Sequence, residues 1–443
     1  MNIYFVSLGC DKNLVDTEKM LFLLGESGHV IVDDPAEADV IVVNTCAFIH
    51  DAKQESIETL IELSEYKNSA KCQLVIATGC LAERYADQMS EEMPEVDIMV
   101  GTTAYDDIVD IINDHAAKSK INKKNLMYLP SKLTGRMPSG VTHTRYLKIS
   151  EGCNKCCTYC SIPFMRGGYR SVPMEELLTE AASLVEDGAR ELILVAQETT
   201  LYGKDIYGKK SLHILIQKLS ELEDLKWIRL MYCYPEEIYD ELIEEMASNP
   251  KVCNYIDMPI QHCNDEILKS MGRLTHKAEL LQKIQMLRDR IPDIAIRTTF
   301  ITGFPGETED QHQECVQFVK DMKFDRLGVF TYSEEEGTKA ATFPDKVDED
   351  TKKRWMDEIM KTSQENIFAT NEKYLGQEFD VMIEGFIPED NVYIGRTYKD
   401  SPDIDGMVFV RCFEDFMSGT IIKVKITSVN QYDLVGEYIE ERS

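Results

Sequence analysis

Glu151-Gly-Cys-Asn-Lys-Cys-Cys-Thr-Tyr-Cys-Ser-Ile-Pro163 sets Cys153, Cys157 and Cys160 at C-x3-C-x2-C spacing. Three thiolates on one short loop suit three irons of a [4Fe–4S] cluster and leave the fourth iron open to a small molecule. Zinc is the rival reading, because Cys156 creates two C-x-x-C pairs, 153/156 and 157/160. Structural zinc ribbons separate their pairs by a dozen or more residues. These pairs abut, so a tetrahedral wrap would be strained. Cys156 then reads as a partly exposed bystander.

The 443 residues are long enough for two to four domains. An apolar fraction of 43% is ordinary for a globular chain. No apolar run reaches membrane-span length, and Met1–Leu8 reads as a strand rather than a signal peptide. A cytoplasmic protein without a membrane partner is the expectation. Thirteen cysteines in such a compartment point to metal or catalysis, not disulfides. The formal charge of −30 disfavours nucleic acid and favours a basic partner, although acidity also serves plain solubility.

Up to about residue 130 the chain alternates strand and helix patterns, which predicts a parallel α/β sheet. Strands are expected at 3–8, 40–43, 74–77 and 98–100, with helices at 15–24 and 54–63. Cys10, Cys46 and Cys80 each fall just past a strand's carboxyl end, where open α/β sheets bind ligands. They form a second candidate metal triad, whereas Cys72 lies upstream of its strand and reads as a core residue. Residues 130–143 have linker composition. Six βα units follow, the strands expected at 146–149, 192–196, 227–231, 255–258, 294–301 and 326–330. The helices between them are expected at 174–186, 212–222, 236–247, 277–290 and 310–322. That pattern fits a partial TIM-like barrel with its chemistry at the strands' carboxyl ends, and the Cys153 loop follows its first strand. After a helical stretch at 348–373, five short strands predict a small antiparallel OB-like barrel. The expected domains are 1–130, 140–372 and 375–443. In the last, 14 Asp/Glu against six Lys/Arg leave −8, poor for nucleic acid and suited to a basic protein.

The Cys153 loop, with Tyr159 before its last cysteine and Ile162-Pro163 after it, resembles the radical S-adenosylmethionine (SAM) signature. The resemblance implies that SAM binds the open iron through its amino and carboxylate groups. Reduction then releases a 5′-deoxyadenosyl radical, while the protein orients the cofactor and excludes water. Candidate SAM contacts are Tyr159, Ile162, Glu198, Arg297, Gly303 and Gly306. Gly303 and Gly306 lie in Ile301-Thr-Gly-Phe-Pro-Gly-Glu-Thr308, where glycines permit close approach and a helix start presents free N–H groups. Arg297 could pair with the SAM carboxylate or within the barrel. His262 reads as a wall residue rather than a metal ligand or base. Cys233, Cys253, Cys263, Cys315 and Cys412 read as buried small hydrophobes.

From end to end the chain resembles the methylthiotransferase family. The matching runs are Leu8-Gly-Cys-Asp-Lys-Asn-Leu-Val-Asp-Thr-Glu18, Asn44-Thr-Cys46, Thr78-Gly-Cys80, the Cys153 loop, Gly303–Thr308 and a terminal TRAM-like barrel. Cys156, and Asp11 where many relatives carry proline, depart from the pattern. The resemblance implies two [4Fe–4S] clusters, the one on Cys10, Cys46 and Cys80 carrying the added sulfur. It also implies that SAM serves as both methyl donor and radical source, with an external reductant as electron donor. Val195–Gly203 and Met258–His262 resemble the branch that modifies an aspartate β-carbon of small-subunit ribosomal protein S-twelve. A sister branch modifies a transfer-RNA adenosine, and a non-enzymatic electron carrier is the remaining alternative.

Overall fold

The computed structural model describes residues 1–115, 119–130 and 135–440. Its first unit is a six-stranded parallel sheet of β1 (Asn2–Ser7), β2 (Val30–Ile31), β3 (Val40–Thr45), β4 (Leu74–Gly79), β5 (Ile98–Val100) and β6 (Ile121–Asn122), ordered β2-β1-β3-β4-β5-β6. The central strands are continuous apolar runs because helices cover both faces. Ile41, Val43, Val75 and Ala77 face one core, and Val40, Val42, Leu74 and Ile76 face the other. The helix Cys80–Glu92, which the sequence reading leaves out, covers part of one face. Exposed Asp87, Gln88, Glu91 and Glu92 interrupt its apolar stripe, which makes the helix easy to overlook in the sequence.

The second unit is an open, all-parallel curved sheet. Its strands are β7 (Thr144–Lys148), β10 (Glu191–Val195), β11 (Trp227–Leu230), β12 (Val252–Asp257), β13 (Ala295–Thr302) and β14 (Arg326–Thr331). Between β7 and β10, a two-residue hairpin of β8 (Ser150–Glu151) and β9 (Arg170–Ser171) clips the base of the Cys153 loop. The helices Met174–Glu186 and Lys277–Arg290 have the bounds expected from periodicity. The helix expected at 236–247 is split into a tight turn at Pro235–Glu237 and a helix at Asp240–Ser248.

The C-terminal strands β15 (Glu378–Ile387), β16 (Val392–Arg396), β17 (Val408–Arg411), β18 (Ile421–Asn430) and β19 (Asp433–Tyr438) close into a barrel, β15-β16-β17-β19-β18. It is not wholly antiparallel, because β17 and β19 pair in parallel. The ring can close only when the last strand returns beside β17, and it arrives running the same way. This barrel plugs the second sheet. Met382 joins Ile193, Val195, Tyr255 and Ala295 inside it. Buried Glu191 accepts from Arg229 Nε at 2.8 Å and from Arg396 of β16. Arg326 pairs with Asp400, and Tyr255 donates to Asp405 at 3.0 Å.

The stretch 130–143 has linker composition but is anchored, residues 131–134 lying outside the described residues. Buried Arg136 pairs with Glu18 of the first unit and with Glu180 of the second at 3.1 Å. Among the described residues no helix is long and apolar enough to cross a membrane.

Arg396 also lies over the Trp227 ring at 5.7 Å. Its replacement by methionine strips a buried carboxylate of one partner, which costs about 3 kcal/mol. R396M is expected to lower the urea midpoint of unfolding and to red-shift Trp227 emission; an unchanged midpoint and emission would show that the joint does not rest on this ion pair.

Candidate active site

Cys10, Cys46 and Cys80 follow β1, β3 and β4, three neighbouring strands. Glycine makes two of the turns. Gly9 and Gly79 have φ of +86° and +91°, and a Cβ would lie 2.7 Å from Cys46 Cβ at Gly9 and 2.3 Å from Asn44 Oδ1 at Gly79. The Gly-Cys pairs are thus backbone requirements that aim each cysteine over the sheet edge. Ser56 donates to the Cys46 carbonyl and accepts from its N–H, at 3.1 and 3.0 Å. Burial pushes the Cys80 thiol up to about 12, against the pull of the Arg166 guanidinium. Cys46 is raised too, again mainly by burial.

The other triad sits past β7. Its loop is held at Cys153 N–H, which donates to the Gly167 carbonyl at 3.1 Å, and at Thr158 N–H, which donates to Met271 at 2.9 Å. Gln197, past β10, accepts from Gly152 N–H at 2.8 Å and donates to Glu151 at 2.9 Å. The Tyr234 hydroxyl stands 3.8 Å from Cys157 Sγ. Burial, helped by neighbouring thiols and opposed by backbone N–H groups, raises Cys153 to about 11 and Cys160 to about 12. Cys156 is exposed and turned away by a φ of +54°.

Among the described residues no three Cys, His, Asp or Glu side chains gather closely enough to grip one metal ion. Ligands of a cluster bind separate irons and stand further apart, so all-thiol triads of this looser kind suit iron–sulfur chemistry.

The predicted SAM contacts are distributed around the Cys153 loop. Tyr159 packs against the apolar cluster that contains Phe304, which ties that loop to the Gly303–Thr308 run. Ile162 opens the short helix Ile162–Arg166. The expected free N–H groups at the glycine run are occupied: Gly303 and Phe304 donate to Glu307 at 2.7 and 3.0 Å, and Gly306 donates to Asp345 at 2.9 Å. His262 Nε2 lies 3.2 Å from the other Glu307 oxygen, and its Nδ1 accepts from Asn264 N–H, so it braces the wall. Arg297 pairs with Asp257 at 3.0 Å and lies 3.5 Å from Asp405 of the C-terminal barrel. Glu198 is fully buried; one oxygen accepts from Thr200 while the other has no hydrogen-bond partner and stands 4.0 Å from Lys155.

The two triads border one interface. The Tyr232 hydroxyl, past β11, donates to Asp11 beside Cys10 at 3.3 Å, and Lys12 lies 3.3 Å over its ring. Lys53 and Arg84 of the first unit pair with Glu335, past β14, at 2.8 and 3.1 Å. Sequence reasoning does not single out Arg166, Asp16, Lys148 or Glu151, which form a buried charge network here. The signal available was Asp16 inside the Leu8–Glu18 run and Arg166 three residues past Ile162-Pro163.

Burial raises the Glu198 carboxyl from its usual value to about 7. A carboxyl raised by folding stabilises the protein below pH 4.5, and that stability is lost as pH climbs through 7. E198Q does not titrate. Its stability relative to the parent is expected to rise between pH 5 and 8 by on the order of 2 kcal/mol, read from urea unfolding; a pH-independent difference would place Glu198 in a less buried setting.

Comparison with known proteins agrees with this architecture. Residues 2–101 match "Uncharacterized protein family UPF0004", 147–319 the radical SAM superfamily and 375–439 the TRAM domain. Among solved structures, TsrM from Kitasatospora setae, a radical SAM methyltransferase bound to cobalamin and a [4Fe-4S] cluster, has a similar fold. Its TM-score is 0.55 at 13% identity, covering 85% of this chain and 76% of that one. The cobalamin-dependent radical enzyme OxsB gives 0.52 at 13% identity, covering 81% and 56%. "Ribosomal protein uS12 methylthiotransferase RimO" of Lachnoclostridium phytofermentans is 51% identical over 98% of this chain and 99% of its own. The RimO of Clostridium perfringens is 47% identical over 98% of each. Two cysteine triads at one domain interface, a radical SAM sheet, a TRAM barrel and end-to-end relatives of one kind lead to a single assignment: this chain belongs to the RimO family of radical SAM methylthiotransferases.

Proposed function

We propose that the chain methylthiolates an aspartate β-carbon of small-subunit ribosomal protein uS12, with two [4Fe–4S] clusters held by Cys153, Cys157 and Cys160 and by Cys10, Cys46 and Cys80. The observation that carries this reading is the placement of both all-thiol triads beside one interface, around Tyr232, Asp11 and Arg166. When bound, the barrel cluster and SAM supply one-electron bond cleavage and hydrogen abstraction from an unactivated carbon.

The residues' own tasks follow from their contacts. Gln197 and the β8–β9 hairpin hold the Cys153 loop over the sheet. Tyr159, packed against the Phe304 cluster, and the backbone at Gly303 and Gly306 would form the wall against the SAM nucleoside, by contact rather than through free N–H groups. Glu198, with one unpartnered oxygen, would accept from the SAM ammonium group. Arg297 is oriented by Asp257 and would meet the SAM carboxylate from a fixed position. The first unit, seated over the carboxyl ends of the second sheet's strands, would exclude water. An external reductant supplies the electron.

The substrate reading also has support in charge. The C-terminal barrel carries −8, and its loop between β17 and β18 exposes Phe413 and Met417 beside Glu414 and Asp415. Ribosomal proteins are rich in Lys and Arg because they lie against RNA, so such a surface would steer one toward the site.

After anaerobic reconstitution, mass spectrometry of the ribosomal protein and of transfer RNA incubated with enzyme, SAM and reductant tests the function. Modification of the RNA instead of the protein would overturn it. Triple alanine replacement at 10, 46 and 80 is expected to halve the iron, abolish sulfur insertion and spare SAM cleavage. C156A should keep the barrel cluster, and C157A should lose it; the reverse in EPR would redraw the ligand set. Reversing two charges, E414K with D415K, should weaken ribosomal-protein binding about tenfold at low salt and flatten its salt dependence. Unchanged binding would remove the loop from recognition.

A further inference from the structure

Arg166 stands out among the buried groups that the assignment leaves without a task. It ends the short helix Ile162–Arg166, six residues past Cys160 in the second unit. Its side chain, 3% exposed, reaches out of that unit into the first. One terminal nitrogen donates to Asp16 at 2.7 Å and to Glu151 at 3.2 Å. The other donates to Asn13 Oδ1. Asn13 is itself fixed, its amide donating to the Leu8 and Thr45 carbonyls at 3.0 and 3.1 Å, and its Oδ1 lies 3.9 Å from Cys80 Sγ. The carbonyls that Asn13 grips belong to the turns that carry Cys10 and Cys46. The Arg166–Asn13 contact therefore reaches the turns of all three first-unit cysteines.

Charge balance shows why a cation belongs there. Lys148 pairs with Asp16 and lies 2.8 Å from Glu151, and buried Arg170 adds a further positive charge near Glu151, so three cations face these two carboxylates. Arg166, like Lys148, pairs with both carboxylates and is the one that extends toward sulfur. Three thiolates gathered with a bound cluster carry net negative charge, and on the side of buried Cys46 and Cys80 that charge must be compensated. A guanidinium is the cation best able to stay charged there while its planar fork serves several acceptors at once.

We propose that Arg166 is the charge-compensating and positioning residue of the Cys10–Cys46–Cys80 site, so that this site is assembled from both units. The second unit lends its cation from the segment that carries the other cysteine triad. This rests on the reading above that the first-unit triad holds a cluster. Partners that orient metal ligands typically contribute 10–100-fold in metal retention.

The test uses the reconstituted full-length protein. R166M, which keeps bulk but loses charge, is compared with R166K, which keeps charge, and with the C10A/C46A/C80A protein. Iron and sulfide content, the rate of iron loss to a chelator and the EPR signal remaining in a C153A/C157A/C160A background are measured. R166M is expected to release first-unit iron at least tenfold faster and to alter that EPR signal. R166K should restore most of both, and cluster content on the other triad should persist in each. Equal behaviour of R166M and R166K, or parental retention in R166M, would overturn the proposal. Should R166M fail to fold by circular dichroism, R166Q takes its place with the same expected outcomes. If the first-unit triad of the parent binds no iron, the earlier reading fails instead, which the C10A/C46A/C80A comparison shows directly.

Discussion

A buried ionic seam between α1 (Asp11–Glu26) and the base of the Cys153 loop governs how the first two units meet. Asp16 sits between Lys148 of β7 and Arg166, and Glu151 of β8 closes the ring. Glu18, two residues on, takes Arg136 from the connecting segment, and Lys19 pairs with Glu180 at 3.1 Å. A helix with Lys12, Asn13, Asp16, Thr17, Glu18 and Lys19 buried could not stand alone in a hydrophobic core. Its charged residues Asp16, Glu18 and Lys19 are paired by opposite charges of the connecting segment and the second unit. Such seams add little net stability, because desolvation offsets attraction. What they impose is register, since any other docking strands buried charges at several kcal/mol each.

That register sets how the two cysteine triads face one another. One triad stands past the carboxyl ends of the first sheet's central strands and the other on a loop past β7 of the second. Each sheet orients its own cysteines through its strand ends. Neither sheet carries information about the other. The seam, with the Lys53 and Arg84 pairs to Glu335 and the Lys12–Tyr232 contact, brings them beside one interface.

The C-terminal barrel meets the second sheet by the same device, with Glu191, Asp400 and Asp405 each paired across the joint. Its acidic balance is therefore divided. Asp400 and Asp405 are buried in the joint, whereas Glu414 and Asp415 lie on the exposed loop. Arg297 shows the consequence, since a side chain of the active sheet is held partly by a carboxylate of the neighbouring barrel.

Much of this protein was legible along the chain. The longer strands of the first sheet, those of the second, the five short strands of the terminal barrel and the strand-end positions of the cysteine triads follow from local rules of apolar runs, turn residues and thiol spacing, whereas two-residue β2 and β6 do not. The Gly-Cys pairs needed only the close packing at strand ends to explain them. The rest was not local. Arg136 looked like part of a linker because composition does not reveal two buried carboxylates, Glu18 and Glu180, that meet in space. The N–H groups of the Gly303 run looked free because Glu307 turns back on them only in the folded loop. The parallel β17–β19 pairing depends on ring closure, which no strand pattern encodes. Arg166 and Asp16 are 150 residues apart, and each alone reads as an ordinary surface charge. Local propensity and periodicity act over a few residues, whereas pairing of buried charges is settled by where two folded units touch.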